Sequence, residues 1–320
     1  MDEIGGIRVG VIGTGYWGRN LVRNFHMLGS LAAICDTNSD TRESQVALYP
    51  GILGFDEYPA LINDPEIDAI AIATPASTHG VLARKCIEAG KHVFVEKPLC
   101  LEVDVAVELG RLSADHGVTL MVGHLLLYHP AFRALCAVVD SGRIGKLHYI
   151  YSNRASLGKV RTEENALWSF APHDVSMILA LAGRLPENVI ATGAYCLTKG
   201  VADITLSHLT FSDDLQAHIF VSWLHPYKDH RMVVVGSNGM IVFDDVAEGV
   251  DKLLLYPHVS SREGGVPVIS RAAAEPIAYD PAEPLRCECA HFLECVLTGT
   301  RPDSDAAEGT RVLRVLQACE

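Results

Sequence analysis

The most constraining stretch of this 320-residue chain lies at its start. Residues 7–12, "IRVGVI", form a short β-branched run of the kind that makes a buried strand. It leads into Gly13-Thr14-Gly15-Tyr16-Trp17-Gly18, then a helical stretch, "RNLVRNFHMLG", and a second apolar run, "LAAICD", that ends in Asp36. Strand, glycine loop, helix and strand closing on an acid is the order of a dinucleotide-binding βαβ unit. The glycines let backbone approach a pyrophosphate, and the helix N-terminus supplies N–H donors and a positive dipole end.

The alternation continues. "DAIAIAT" (68–74) reads as a fully buried parallel strand, followed by a helix over 77–89 that stops at Gly90. "KHVFVEKP" is a further strand, "VDVAVELGRLSADHG" a helix and "VTLMVGH" a strand. Such repetition predicts an α/β fold: an N-terminal Rossmann domain, residues 1–124, with a doubly wound parallel sheet and its ligand at the carboxyl ends of the strands. After residue 125 the texture changes. A helix over 129–141 ends at Gly142, a strand "KLHYIYSNRAS" follows, and Pro172 reads as the first residue of another helix. Five β-rich runs without intervening helices then predict an open, mostly antiparallel sheet. Helices over about 284–298 and 305–319 close the chain. Residues 125–320 are thus expected to form an α+β domain for substrate binding and oligomerisation, with the last helix free to pack back on the first domain. That helix runs to Glu320, an abrupt end that suggests a short tail beyond it.

A net charge of −13 argues against nucleic-acid and anionic-membrane partners. There is no membrane-length apolar run, and "MDEIGG" is acidic where a signal peptide would be basic, so a cytoplasmic protein is expected. Nine scattered cysteines, an odd number mostly in apolar segments, fit reduced thiols there. The unpartnered sheet suggests a homo-oligomer, dimer or tetramer, formed through the second domain.

Asp36 follows Gly18 by 18 residues, close to the spacing at which an acid accepts from the adenosine ribose hydroxyls. Thr37 and Asn38 come next, with no arginine for a 2′-phosphate, so NAD is favoured over NADP. Tyr16 and Trp17 can flank the dinucleotide or cover the sheet edge. Three further signals stand where strands end: Thr74-Pro75 with His79, Glu96-Lys97-Pro98, and "GHLLLYHP" (123–130).

With these residues in view, the whole chain resembles the Gfo/Idh/MocA family of NAD(P)-dependent sugar and polyol oxidoreductases. The resemblance is carried by the glycine loop, Thr74-Pro75 with His79, "AGKHVFVEKPL" (89–99) and the segment around His173. "GYWGRNLVRNF", "GRIGKLHYIYSNRASLGKVRTEENALWSFAPHD" and "HFLECVLTGTRP" are similar to the branch that acts on nucleotide sugars, the UDP-N-acetylglucosamine and UDP-N-acetylglucosaminuronate 3-dehydrogenases. The implied reaction is oxidation of a sugar secondary alcohol at C3 of a UDP-N-acetylhexosamine. Alternatives are a dehydrogenase or ketoreductase of a free polyol such as myo-inositol, a glycosidase that uses NAD transiently, or a non-catalytic NAD-sensing regulator.

Alcohol oxidation needs a base for the hydroxyl proton and a cation for the developing alkoxide. Lys97, at the end of a buried strand, is placed to hold the oxygen, a role the resemblance also implies; the alternative is a surface lysine. Glu96 can pair with Lys97 or touch the nicotinamide ribose. Pro98 fixes the chain's exit and, by resemblance, follows an unusual peptide geometry. His173 is the base, expected in the first helical turn with Asp174 complementing the dipole. Many family members carry an aspartate four residues before this histidine, whereas this chain has Ser169. Arg154, Lys159, Arg161 and Asn165 are candidates for polar or anionic parts of the substrate, against solvated surface charge. His124 and Tyr128 line the sugar pocket or else make core packing and buried hydrogen bonds. Cys287, His291 and Cys295 lie at i, i+4, i+8, but three ligands strung over two helical turns span ~12 Å, too far to share one zinc, so no metal is expected.

Overall fold

The computed structural model describes residues 6–158, 160–162 and 164–320. The chain divides into two compact units, residues 1–128 with 282–313, and residues 129–281 with 314–320.

The first unit runs β1 (Val9–Ile12), α1 (Gly18–Met27), β2 (Leu31–Cys35), α2 (Ser39–Leu48), β3 (Leu53–Phe55), α3 (Tyr58–Ile62), β4 (Ala69–Ile72), α4 (Ala76–Glu88), β5 (His92–Glu96), α5 (Val103–His116) and β6 (Leu120–Gly123). Its six strands are all parallel, in the order β3-β2-β1-β4-β5-β6. β1, β4 and β6 are buried at every position, as strands covered on both faces must be. Gly90, at φ +74°, follows α4 in the left-handed conformation expected of a helix-terminating glycine.

The second unit contains α6 (Pro130–Asp140), β7 (Leu147–Leu157), α7 (Ala166–Ala182), β8 (Asn188–Ala194), β9 (Ile204–Thr210), β10 (Gln216–Ser222), β11 (Leu224–Gly236), β12 (Met240–Asp244), β13 (Leu253–Tyr256), β14 (Val259–Glu263), β15 (Val266–Ser270) and β16 (Glu275–Pro276). Eight of these strands form one sheet, β16-β13-β12-β11-β7-β10-β9-β8, antiparallel except where β10 lies parallel to β7. Burial alternates along β9 and β10, so one face is covered and the other half-exposed. α7 packs on β7, β9 and β10. On the other face, Ile190, His208, His218 and Tyr151 form one cross-strand row, and Thr192, Leu206, Phe220 and Asn153 the next.

The last helices, α8 (Pro284–Thr298) and α9 (Ala306–Ala318), begin in residues grouped with the first unit. Phe292 of α8 meets Phe25 and Phe94 edge-on, with centroids 6.3 and 5.8 Å apart. The metal-like run on α8 is packed too: Cys289 and Cys295 are buried, and the His291 ring lies 5.2 Å from Tyr128. Among the described residues no helix is long and apolar enough to cross a membrane.

Phe292→Ala opens a cavity inside this aromatic cluster. Chemical denaturation is expected to show a loss of about 3–5 kcal/mol of stability.

Candidate functional site

In the first unit, close approach builds the glycine loop. A Cβ on Gly18 would stand 1.9 Å from the Gly13 carbonyl oxygen, and Gly13 itself adopts φ +85°. Nothing lies within 4 Å of where a Gly15 Cβ would point, so the middle glycine faces open space. α1 has no side-chain cap and no acid in its first turn, which leaves its positive end for an anion. Asp36, just beyond β2, accepts from the Thr14 amide at 2.8 Å and the Thr14 hydroxyl at 3.1 Å. An uncapped helix start, an open glycine and a carboxylate at the end of β2 fit a dinucleotide.

The pair left open by the sequence divides its labour. Tyr16 is exposed, with the Arg19 guanidinium over its ring, whereas the Trp17 indole N–H donates to Glu96. Glu96 is nearly buried, and its second oxygen accepts from the Lys97 amide at 3.3 Å. Burial pushes the Glu96 carboxyl up to about 7, against the indole hydrogen bond and the Lys97 charge, which lower it. Lys97 is half-buried and precedes a cis peptide to Pro98, the unusual geometry expected there.

Thr74 and Pro75 lie beside the loop at the end of β4. His79, expected to bind cofactor, is buried: its Nδ1 is 2.7 Å from the Pro98 carbonyl oxygen and its Nε2 2.8 Å from that of Thr74. Burial lowers its pKa. It braces the turns after β4 and β5.

His124 and Tyr128 take the core alternative. His124 is buried with Nδ1 2.5 Å from Glu308. The Tyr128 hydroxyl is bonded to Ser304 at 2.8 Å, and burial drives its pKa up. Each finds its partner far along the chain but inside the first unit, which sequence spacing alone does not reveal.

In the second unit the structure corrects the start of the His173 helix. α7 begins at Ala166, because Asn165 caps it by accepting from the Trp168 amide at 3.1 Å. Pro172 therefore stands inside the helix, where it cannot donate to the Trp168 carbonyl. His173 is mid-helix, so the dipole end does not set its protonation. It is half-buried, between neighbours that are fully buried.

Asp174 is likewise no helix-start device. It is completely buried, accepting from Arg154 Nε at 2.8 Å and from the Ser152 hydroxyl at 2.5 Å. Arg154, expected to meet substrate or solvent, is spent on this pair and on His230 Nδ1 at 3.1 Å. That contact keeps the His230 ring neutral, in line with the lowering of its pKa by burial; Asp245, at 3.8 Å, is beyond hydrogen-bond reach. Ser169 donates to Glu164 at 2.7 Å, and Arg161, half-exposed, pairs with the same oxygen at 3.0 Å. Lys159 lies outside the described residues. Glu164 and Glu288 had no signal in the sequence: Glu164 is an ordinary acid in a polar run, and Glu288 an acid set between two cysteines.

Among the described residues no group of three or more His, Cys, Asp or Glu side chains could hold a metal ion.

Residues 7–124 match the model of the GFO/IDH/MocA oxidoreductase family, NAD-binding Rossmann fold, and residues 132–242 match the GFO/IDH/MocA C-terminal domain. The UDP-N-acetylglucosamine 3-dehydrogenase of Acidithiobacillus ferrooxidans is 28% identical over 309 residues, 96% of this chain and 94% of that one. A solved structure of a UDP-N-acetylglucosamine 3-dehydrogenase from the same organism, 25% identical, superposes with a TM-score of 0.85 over 97% of this chain and 95% of its own. The myo-inositol 2-dehydrogenase of Thermotoga maritima is 31% identical over 260 residues, 76% of each chain.

Arg154→Met leaves the Asp174 carboxylate buried without its counter-charge. Unfolding titrations are expected to show a loss of about 3–5 kcal/mol, and Arg154→Lys should recover only part of it.

Proposed function

This chain belongs to the Gfo/Idh/MocA family of NAD-binding oxidoreductases, and on that premise we propose that it oxidises the C3 hydroxyl of a UDP-linked N-acetylhexosamine to a 3-keto nucleotide sugar. The observation that carries the substrate is likeness over nearly the full length, 96% of the chain, to a UDP-N-acetylglucosamine 3-dehydrogenase. Likeness to a myo-inositol 2-dehydrogenase at 31% identity favours a second reading, a free polyol.

The loop from Gly13 to Gly18, Asp36, Thr74 and Pro75 would hold NAD, with Asp36 disfavouring a 2′-phosphate. When bound, NAD supplies the two-electron acceptor for the carbinol carbon. Lys97 holds the hydroxyl oxygen and stabilises negative charge as the proton leaves. His173 takes that proton through its half-buried ring. Ser169 replaces the aspartate common in the family and is backed by the Glu164 carboxylate. Arg161 remains a candidate for the diphosphate, whereas Asn165 and Arg154 act through the placement of α7. The reducing cytoplasm suits the nine free thiols.

NADH absorbance measured across UDP-sugars and free polyols is the deciding assay. Turnover with UDP-N-acetylhexosamines and none with inositols is expected; the opposite preference rejects the nucleotide-sugar reading. Lys97→Met and His173→Ala should each lose at least about a hundredfold in kcat while retaining NAD binding.

The open face of the eight-stranded sheet, with Ile190 59% and Leu206 47% exposed, is assigned to contact with a second copy. Sedimentation should show a dimer or tetramer that Ile190→Asp combined with Leu206→Asp dissociates. A monomeric wild-type protein rules this out.

A further inference from the structure

Lys97 is the first residue past β5, and the chain on both sides of it is held by side chains from elsewhere in the first unit. On its C-terminal side, the Pro98 carbonyl oxygen lies 2.7 Å from His79 Nδ1 of α4. On its N-terminal side, the buried Glu96 carboxyl accepts from two donors. The Trp17 indole N–H occupies one oxygen, and the Lys97 amide, at 3.3 Å, the other. A carboxyl held at both oxygens cannot turn toward one donor without weakening its bond to the other.

Glu96 also stands opposite Gly123, where β5 pairs with β6. A Cβ on Gly123 would lie 3.0 Å from Oε2 and 3.1 Å from Cδ of Glu96, tighter than the ordinary contact range of 3.4–4 Å. Gly123 is not among the glycines with positive φ, so close approach, and not backbone conformation, calls for glycine there. The Glu96 carboxyl fills the space that a side chain at 123 would need.

Trp17 is the residue that reaches this carboxyl from another element. It stands immediately before Gly18 in the glycine loop, partly exposed, and its indole N–H crosses from the start of α1 to the end of β5. β1 and β5 lie on either side of β4, so the bond spans the strand that leads into Thr74 and Pro75. Trp17 thus belongs both to the loop suited to a pyrophosphate and to the support of Lys97.

We propose that Trp17 is a positioning residue for Lys97, acting through Glu96: the indole N–H fixes the carboxyl that in turn holds the Lys97 amide, so the conformation of the cofactor loop sets the place of the lysine that receives the hydroxyl oxygen. Gly123 contributes by leaving room for the carboxyl. Without the indole N–H, the buried Oε1 loses this donor, and the carboxyl is free to turn away from the Lys97 amide to regain one. A reacting group misplaced by about 1 Å costs about a hundredfold in rate, so a weak backbone contact beside Lys97 carries weight in turnover.

The coupling bears on turnover only with Lys97 as the group that holds the hydroxyl oxygen, as proposed above, so two of the measurements use no alcohol. Trp17→Phe keeps the aromatic face and removes the donor. Hydrogen–deuterium exchange of the full chain, read at the Lys97 amide, should be at least about tenfold faster in Trp17→Phe and in Gly123→Ala than in the wild type, with the β2 amides unchanged. NAD+ affinity of Trp17→Phe should stay within about threefold of wild type. With the oxidised alcohol, kcat of Trp17→Phe should fall about ten- to a hundredfold while KM changes less than about threefold. Trp17→Phe combined with Glu96→Gln should be no slower than Glu96→Gln alone, because both act through one carboxyl. Unchanged exchange at Lys97 in Trp17→Phe, lost NAD+ binding with kcat intact, or effects of the two substitutions that multiply would each overturn the assignment. A wild-type-like Lys97→Met would instead remove Lys97 from the reaction and leave the exchange result standing. Should Gly123→Ala fail to fold, Trp17→Phe alone decides.

Discussion

The approach of α1 to the end of β1 governs the cofactor half of this enzyme. With a Gly18 Cβ position 1.9 Å from the Gly13 carbonyl oxygen, one methyl group would push the helix away from the sheet. The neighbouring contacts depend on that closeness. Thr14 reaches the Asp36 carboxylate only because the loop turns immediately after β1, and Trp17 reaches Glu96 only because α1 starts where it does. The loop is thus tied to β2 on one side and to β5 on the other. His79 adds a brace between the turns after β4 and β5, so Lys97 leaves the sheet from a frame held at both neighbouring strand ends.

Buried acids are handled in two ways. In the second unit, Asp174 is matched by Arg154 and Ser152, and Arg154 by His230, so removing one member strands another. This network fixes α7 on the sheet one residue away from His173, and it serves position more than chemistry. In the first unit, Glu308 is matched by His124, but Glu288 has no matching donor among the described residues, and burial raises both Glu288 and Glu96. A carboxyl kept protonated by its surroundings weakens the fold as pH rises above its ordinary range, because the unfolded chain ionises it freely. A feature that lowers stability in this way invites a functional explanation, whereas the Arg154–Asp174 pair is explained by packing alone.

The parallel sheet was legible because period, glycine placement and strand length all agree there. β1, β4 and β5 are short β-branched runs, and Gly90 and Gly117 take the left-handed conformation at helix ends. The second sheet was legible as a class, but its order was not: β10 pairs in parallel with β7 across a separation no local pattern records. α7 shows how two valid signals compete. Pro172 marks a helix start in isolation, yet Asn165 is the better cap, and the run Ala166–Ala171 is apolar enough to be buried as helix. From sequence, Tyr128 is open to a pocket or a core role and Arg154 to substrate or solvent, because polar groups in and just after strands serve either. Their partners, Ser304 and Asp174, are distant in sequence or were assigned another task.

Ser169 is where sequence and structure together change the chemistry most. Taken alone, a serine in place of the family's aspartate removes a charge from the turn before His173, since residues four apart on a helix are neighbours. The structure returns a carboxylate to that place from a different position, with Glu164 accepting the Ser169 hydroxyl hydrogen bond and sharing the Arg161 charge. A hydroxyl held this way has its proton directed to Glu164, so its lone pairs are presented to whatever donor approaches along the helix face. In the proposed reaction, a protonated His173, one turn along the helix, would be such a donor. If His173 takes the proton as proposed, the hydroxyl–carboxylate arrangement would stabilise that charge while leaving Ser169 itself neutral and the helix free of a second buried ion pair.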